Sequence, residues 1–260
     1  NALLTAAQFD QNFNQQSSYI AIKGKSMGTM YGYIYDGTYK LDDFDKSGNT
    51  YTLKANVPHF SGENNTQPGM PKYRDINGDG VVDSNDCTVI GNGLPTHTGG
   101  FTNNFAYAGF DLSIFFQWSY GNDILNANRL FFESSWNTSR DLNQFASYAN
   151  RWTFDNPTSD IPRAINSASN KVFSSRIIED GSFLRLKTLT LGYTLPKAVV
   201  TRLHIDNLRV YFAAQNLFTI TDYSGYDPEV SIRNNALTPG LDFSAYPRAR
   251  QFSFGLHIGF

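Results

Sequence analysis

The chain has 260 residues, 17% of them charged, and a formal net charge of −2. Lys and Arg are scattered, with no basic patch, so nucleic acid is excluded as a partner. Aromatic residues reach 15%, mean hydropathy is −0.38, and no stretch approaches the ~18 apolar residues of a membrane helix, so a helical membrane protein is excluded too.

The opening residues NALLTAAQF have neither a basic nor an apolar signal-peptide region, so the chain reads as a mature product or a piece of a longer one. Cys87 is the only cysteine, which rules out a disulfide within these residues. One or two strands are expected between Ser17 and Tyr39. The first sharp motif follows at Asp75–Asp86, DINGDGVVDSND. Asp75, Asn77, Asp79, Asp83 and Asp86 stand at positions 1, 3, 5, 9 and 12 of a calcium loop. Val81 offers its carbonyl at position 7 and Gly80 the sharp turn at position 6. These six residues are the expected ligands of one structural Ca²⁺, at about 2.3–2.6 Å, with Asp83 able to act through water. Asp86 is shorter than the glutamate of an EF-hand, and no amphipathic helix flanks the motif, so a calcium sensor is excluded. The competing reading is an Asx-rich turn with solvated carboxylates.

Strands are expected near 98–107, 111–120, 183–194, 208–216 and 251–260 from period-2 alternation. Leu112, Ile114 and Phe116 share one parity, and so do Phe254, Leu256 and Ile258. His257 falls on the polar side of the last strand. Ala108-Gly109 reads as a tight hairpin. The parity breaks within 183–194, where Leu184 and Leu186 are even and Leu189, Leu191 and Tyr193 odd. Either a β-bulge or a strand half outside the membrane would do this. Short links (108–109, 196–206) alternate with long ones (121–181, 219–250), each expected as a loop. Together these features read as an all-β chain, an antiparallel transmembrane β-barrel segment with long extracellular loops. Five to seven strands cannot close such a barrel, which needs at least ~8. The last strand is therefore expected to pair with 208–216 on one side and with a polypeptide outside these residues on the other.

Seven segments, in order, resemble SusC-like TonB-dependent outer-membrane transporters of Bacteroidetes. They are Tyr73–Asn92, Thr98–Tyr107, Phe110–Asp123, Leu184–Leu195 with Pro196 behind it, Val210–Phe218, Tyr223–Val230 and Gly240–Arg250. The resemblance spans roughly residues 20–260 and implies the C-terminal strands of a ~22-stranded barrel. It also implies partners: the N-terminal part of the same transporter with its plug, TonB acting through that part, a SusD-like surface lipoprotein, outer-membrane lipid, and an oligosaccharide or peptide cargo. The alternative is a secreted, calcium-braced β domain for adhesion or polysaccharide binding.

No enzyme is expected. His59, His97, His204 and His257 have no metal spacing, no serine sits in a nucleophile elbow, and Asp227 and Glu229 read as loop carboxylates rather than an acid–base pair. Trp118, Tyr120, Trp136 and Trp152 fit either girdle and core positions or sugar stacking.

Overall fold

Alternating side chains favour extended backbone wherever one face can be apolar, and five long strands follow that rule. They are β1 (His97–Tyr107), β2 (Phe110–Tyr120), β3 (Phe183–Thr194), β4 (Asn207–Thr221) and β5 (Gln251–Gly259). They pair antiparallel in chain order, β1-β2-β3-β4-β5. The structure, a computed structural model, describes residues 2–4, 18–135, 143–167, 169–231 and 237–260. Two compact units are present: Asn1–Leu94 with Asp123–Glu179 and Val230–Ala245, and Pro95–Asn122 with Asp180–Glu229 and Tyr246–Phe260. The second unit holds the long sheet.

Residues directly opposite each other in a sheet share a face. Phe116 lies opposite Phe101 and Leu186, Leu112 opposite Phe105 and Leu191, and Ile114 opposite Leu189. Leu186 lies opposite Phe218, and Phe212 and Val210 opposite Phe254 and Leu256. One face is therefore apolar across all five strands. On the other, Ser113 lies opposite Asn104 and Thr190, and Gln117 opposite Gly100 and Arg185. Arg209 lies opposite His257, and Ala213 opposite Ser253.

The parity break in β3 is a bulge. Pairing with β2 shifts between Phe115 and Phe116, where Lys187 is the extra residue. Pairing with β4 shifts again between Leu186 and Thr188, where the extra residue is Asn216 at φ +51°. Each bulge restores the apolar face, so Leu184 and Leu186 join Leu189 and Leu191 on one side. The Asn216 bulge also explains why β4 runs on to Thr221, beyond the expected end at 216. Past it, Phe218 and Ile220 resume the alternation.

Ala108 (φ +50°) and Gly109 (φ +88°) close the β1–β2 hairpin, both in the left-handed region that a two-residue primed turn requires. Gly255 has a packing reason. A Cβ there would meet the Tyr211 ring at 2.3 Å, so the ring lies across its neighbour's bare backbone. Residues 195–206 form a compact link with one turn of helix at Lys197–Val200.

All the long connections leave one end of the sheet, at His97, Tyr120, Phe183, Thr221 and Gln251, and both short links sit at the other end. The long connections are not the structureless loops expected. With the residues before Pro95, their stretches 123–179 and 230–245 make the first unit, built from strands of two to five residues around its own apolar clusters. One cluster gathers Tyr19, Met30, Leu125, Phe173 and Leu241. A second joins Tyr33, Phe60, Tyr73 and Val82, and a third Tyr39, Phe44 and Met70. Sequence alternation does not reveal such strands, because strands this short complete only one or two periods.

Candidate functional site

The Asp75–Asp86 loop is a self-framed turn. Asp75 accepts the amides of Gly78 (2.6 Å) and Gly80 (2.8 Å), and Asn77 accepts that of Asp79 (2.9 Å). Asp79 accepts the Val81 amide (2.9 Å), and Asp83 that of Asn85 (2.7 Å). Gly80 takes φ +86°, as position 6 requires. Asp86 is fully buried. It accepts the amides of Ile76 (2.7 Å), Asn77 (3.3 Å) and Asp83 (2.8 Å). Burial would raise its carboxyl, but these amides outweigh burial and hold it below the ordinary aspartate range.

The oxygen donors suit a hard cation, and a carboxylate accepting one amide keeps lone pairs for a metal. Yet among the described residues no three His, Cys, Asp or Glu side chains gather to hold a metal ion. The frame turns Asp75, Asn77, Asp79 and Asp86 towards backbone amides, and the exposed Asn77 and Asp79 also bond each other at 2.9 Å.

The polar face of the sheet carries two charge networks. Near the short-turn end, Arg209 of β4 donates to both oxygens of Asp111 on β2, at 3.0 and 2.6 Å. The pair crosses β3 over Gly192, where a Cβ would lie 2.4 Å from either partner. Near the long-connection end, Arg185 of β3 is 2% exposed and forks three ways. It donates to Thr219 (2.9 Å), to Glu229 (3.0 Å) and to Asp227. Lys187, the bulged residue, and Arg248 also reach Glu229, at 3.1 and 2.9 Å. Asp227 further accepts the amides of Glu229 (2.9 Å) and Arg248 (3.0 Å). Burial would raise the Asp227 carboxyl, but Arg185 and these amides hold it below its usual range. Asp227 and Glu229 are thus loop anchors, the first engaged by Arg185 and two amides and the second by three cations. The sequence showed the two carboxylates but not their strand partners Arg185 and Lys187, which lie about 40 residues away.

His257 faces the polar side, opposite Arg209. Trp152 is 2% exposed in the first unit's interior, against Gly69, so it offers no face to a sugar. Trp118 and Tyr120 end β2 beside His97, whose ring stacks on Tyr120 at 5.1 Å and accepts from the Trp118 indole at 3.1 Å. Trp136 lies outside the described residues.

No family model matches the chain. It is 35% identical over 254 residues to a TonB-dependent receptor of Formosa agariphila, covering 96% of this chain and 24% of that protein. It is 29% identical over 199 residues to the TonB-dependent receptor SusC of Bacteroides thetaiotaomicron, covering 76% of this chain and 18% of SusC. Among solved structures, it matches the RagAB peptide transporter with a TM-score of 0.66 at 23% identity, over 94% of this chain and 25% of that one. The RagAB peptide importer in its closed-closed state matches at 25% identity with a TM-score of 0.64, again over 94% and 25%. The chain therefore spans about a quarter of the length of the relatives it matches. Its long sheet matches a segment of the all-β fold of those solved structures, and over most of its length the chain is homologous to TonB-dependent receptors, SusC among them.

Proposed function

We propose that these residues are the C-terminal portion of the barrel of an outer-membrane, TonB-dependent nutrient importer. It takes up an oligosaccharide or peptide together with a SusD-like surface lipoprotein. The observation that carries the reading is the two-faced sheet. Phe254 and Leu256 on the apolar face are 82% and 68% exposed, and no second sheet among the described residues covers them. Water does not tolerate so wide an apolar surface, whereas the hydrocarbon of a bilayer does. The opposite face, polar and crossed by ion pairs, suits an aqueous lumen. A secreted β domain would bury the apolar face, which counts against that alternative.

On this reading the long-connection end is extracellular and the short-turn end periplasmic. The plug and the TonB-contacting segment are supplied by parts of the transporter outside these 260 residues. The Asp75–Asp86 loop is proposed to hold one structural Ca²⁺ that braces the extracellular side. Its support is the donor spacing and the preset turn at Gly80. The function is transport, and the chain carries no catalytic role.

Native mass spectrometry of the full transporter, purified from its own membrane in calcium buffer, tests the whole reading. A co-purifying lipoprotein, a bound glycan or peptide mass, and a calcium increment that Asp79→Ala removes are expected. A lone barrel with neither lipoprotein nor cargo would contradict the importer. An increment unchanged in Asp79→Ala would contradict the calcium site.

A further inference from the structure

A cavity of about 220 Å³ opens on the polar face, where the end of β4 meets residues 226–228 and 248–250. At ~30 Å³ per water it holds roughly seven waters, room for one end of a cargo molecule rather than a whole oligomer. Arg185, Asn216, Tyr226, Arg248 and Arg250 contribute to its wall.

The charges around it do not balance. Arg185, Lys187 and Arg248 bond Asp227 and Glu229, so three cations already meet two carboxylates. Arg250 is a fourth cation. It is exposed, and among the described residues no carboxylate pairs with it. Four cations against two anions leave an excess of two positive charges at one small cavity. Neither carboxylate is free to swing across, because Asp227 is fixed by Arg185 and two amides and Glu229 by three cations.

A further feature suits a solute: the ring of Tyr226 is 84% exposed at the wall. Asn216 is a fixed part of that wall, its side-chain nitrogen held by the Ala249 carbonyl at 3.0 Å.

We propose that this cavity is a subsite for a carboxylate carried by the cargo, as on an acidic sugar or an acidic peptide. The planar guanidinium of Arg250 meets the carboxylate edge-on, a geometry that suits two parallel hydrogen bonds. Arg248 adds charge beside it, and Tyr226 covers it. The proposal deepens the importer reading and rests on the polar face lining the passage.

The test uses the full transporter in detergent, with glutarate as probe and its uncharged diamide as control, read by saturation-transfer NMR. Glutarate is expected to bind and the diamide not. Arg250→Gln should weaken glutarate about tenfold, the effect of losing one charge-assisted hydrogen bond, and Arg250→Lys should retain part of the binding. Arg250 holds no described side chain in place, so both variants should keep the wild-type heat-modifiability. Equal binding to Arg250→Gln, or diamide binding as strong as glutarate, would overturn the proposal. A second arm separates it from the importer reading. Tyr226→Cys in a Cys87→Ser background should react with a membrane-impermeant maleimide. Glutarate binding without that labelling would sink the passage and leave the subsite standing.

Discussion

Arg185→Ala should destabilise the assembled transporter by about 3 kcal/mol or more, the effect of breaking a buried ion pair by removing one partner. Arg185 is nearly inaccessible, and its guanidinium is the only described side chain that meets both Asp227 and Glu229. Without it, Glu229 keeps Lys187 and Arg248, but buried Asp227 keeps only backbone amides. The loss therefore concentrates on Asp227. Its carboxyl, released from the cation, should climb out of its lowered range. Arg185→Lys should recover little, because an ammonium cannot span both carboxylates in one plane. Asp227→Asn with Arg185 intact should be milder, since an amide oxygen can still accept from the guanidinium. The urea midpoint of the full transporter, followed by heat-modifiability on gels, reads all three. An unchanged midpoint in Arg185→Ala would mean that the loop is held by other contacts.

Residues 1–260 expressed alone should fail to form a barrel. β1 and β5 are the two edges of the sheet, and no other described strand pairs with either. In hydrocarbon each unpaired backbone group costs several kcal/mol, so an edge of about ten residues is intolerable there. Five strands are also too few to bend into a closed cylinder. On the proposed reading, the partners of both edges are strands of the transporter outside these residues. After refolding in detergent micelles, the isolated chain should aggregate or remain without heat-modifiability and with weak β circular dichroism. A monodisperse, heat-modifiable, β-rich monomer would show that the chain closes by itself.

The long sheet was readable because one apolar and one polar face impose a period of two on each strand. The expected and observed strands agree within one residue at most of their ends. The exceptions have physical causes. Asn216 interrupts β4 with a left-handed bulge, which hides Phe218 and Ile220 from a simple alternation. Lys187 does the same in β3, and the parity break there was a true sign of it. The first unit was far less legible. Its strands are too short for periodicity, and its cores bring together residues as distant as Tyr19 and Leu241. The seven-segment resemblance identified the family, yet it could not show that Arg185 holds Asp227 and Glu229. That contact spans about 40 residues and depends on a loop folding back over the sheet. The sharp turn expected at Gly80 is present, at φ +86°, but spacing alone does not bring carboxylates together.

The central claim is that one face of the sheet meets lipid and the other meets water. Site-directed spin labelling of the full transporter in lipid vesicles, in a Cys87→Ser background, addresses it directly. Labels would be placed through Leu112→Cys and Leu256→Cys on the apolar face, and through Ser113→Cys and Ser253→Cys on the polar face. The two apolar-face labels should be accessible to oxygen and shielded from an aqueous nickel chelate, and the two polar-face labels should show the reverse. Apolar-face labels shielded from both reagents, as between two packed sheets, or open to the nickel chelate, would contradict the account.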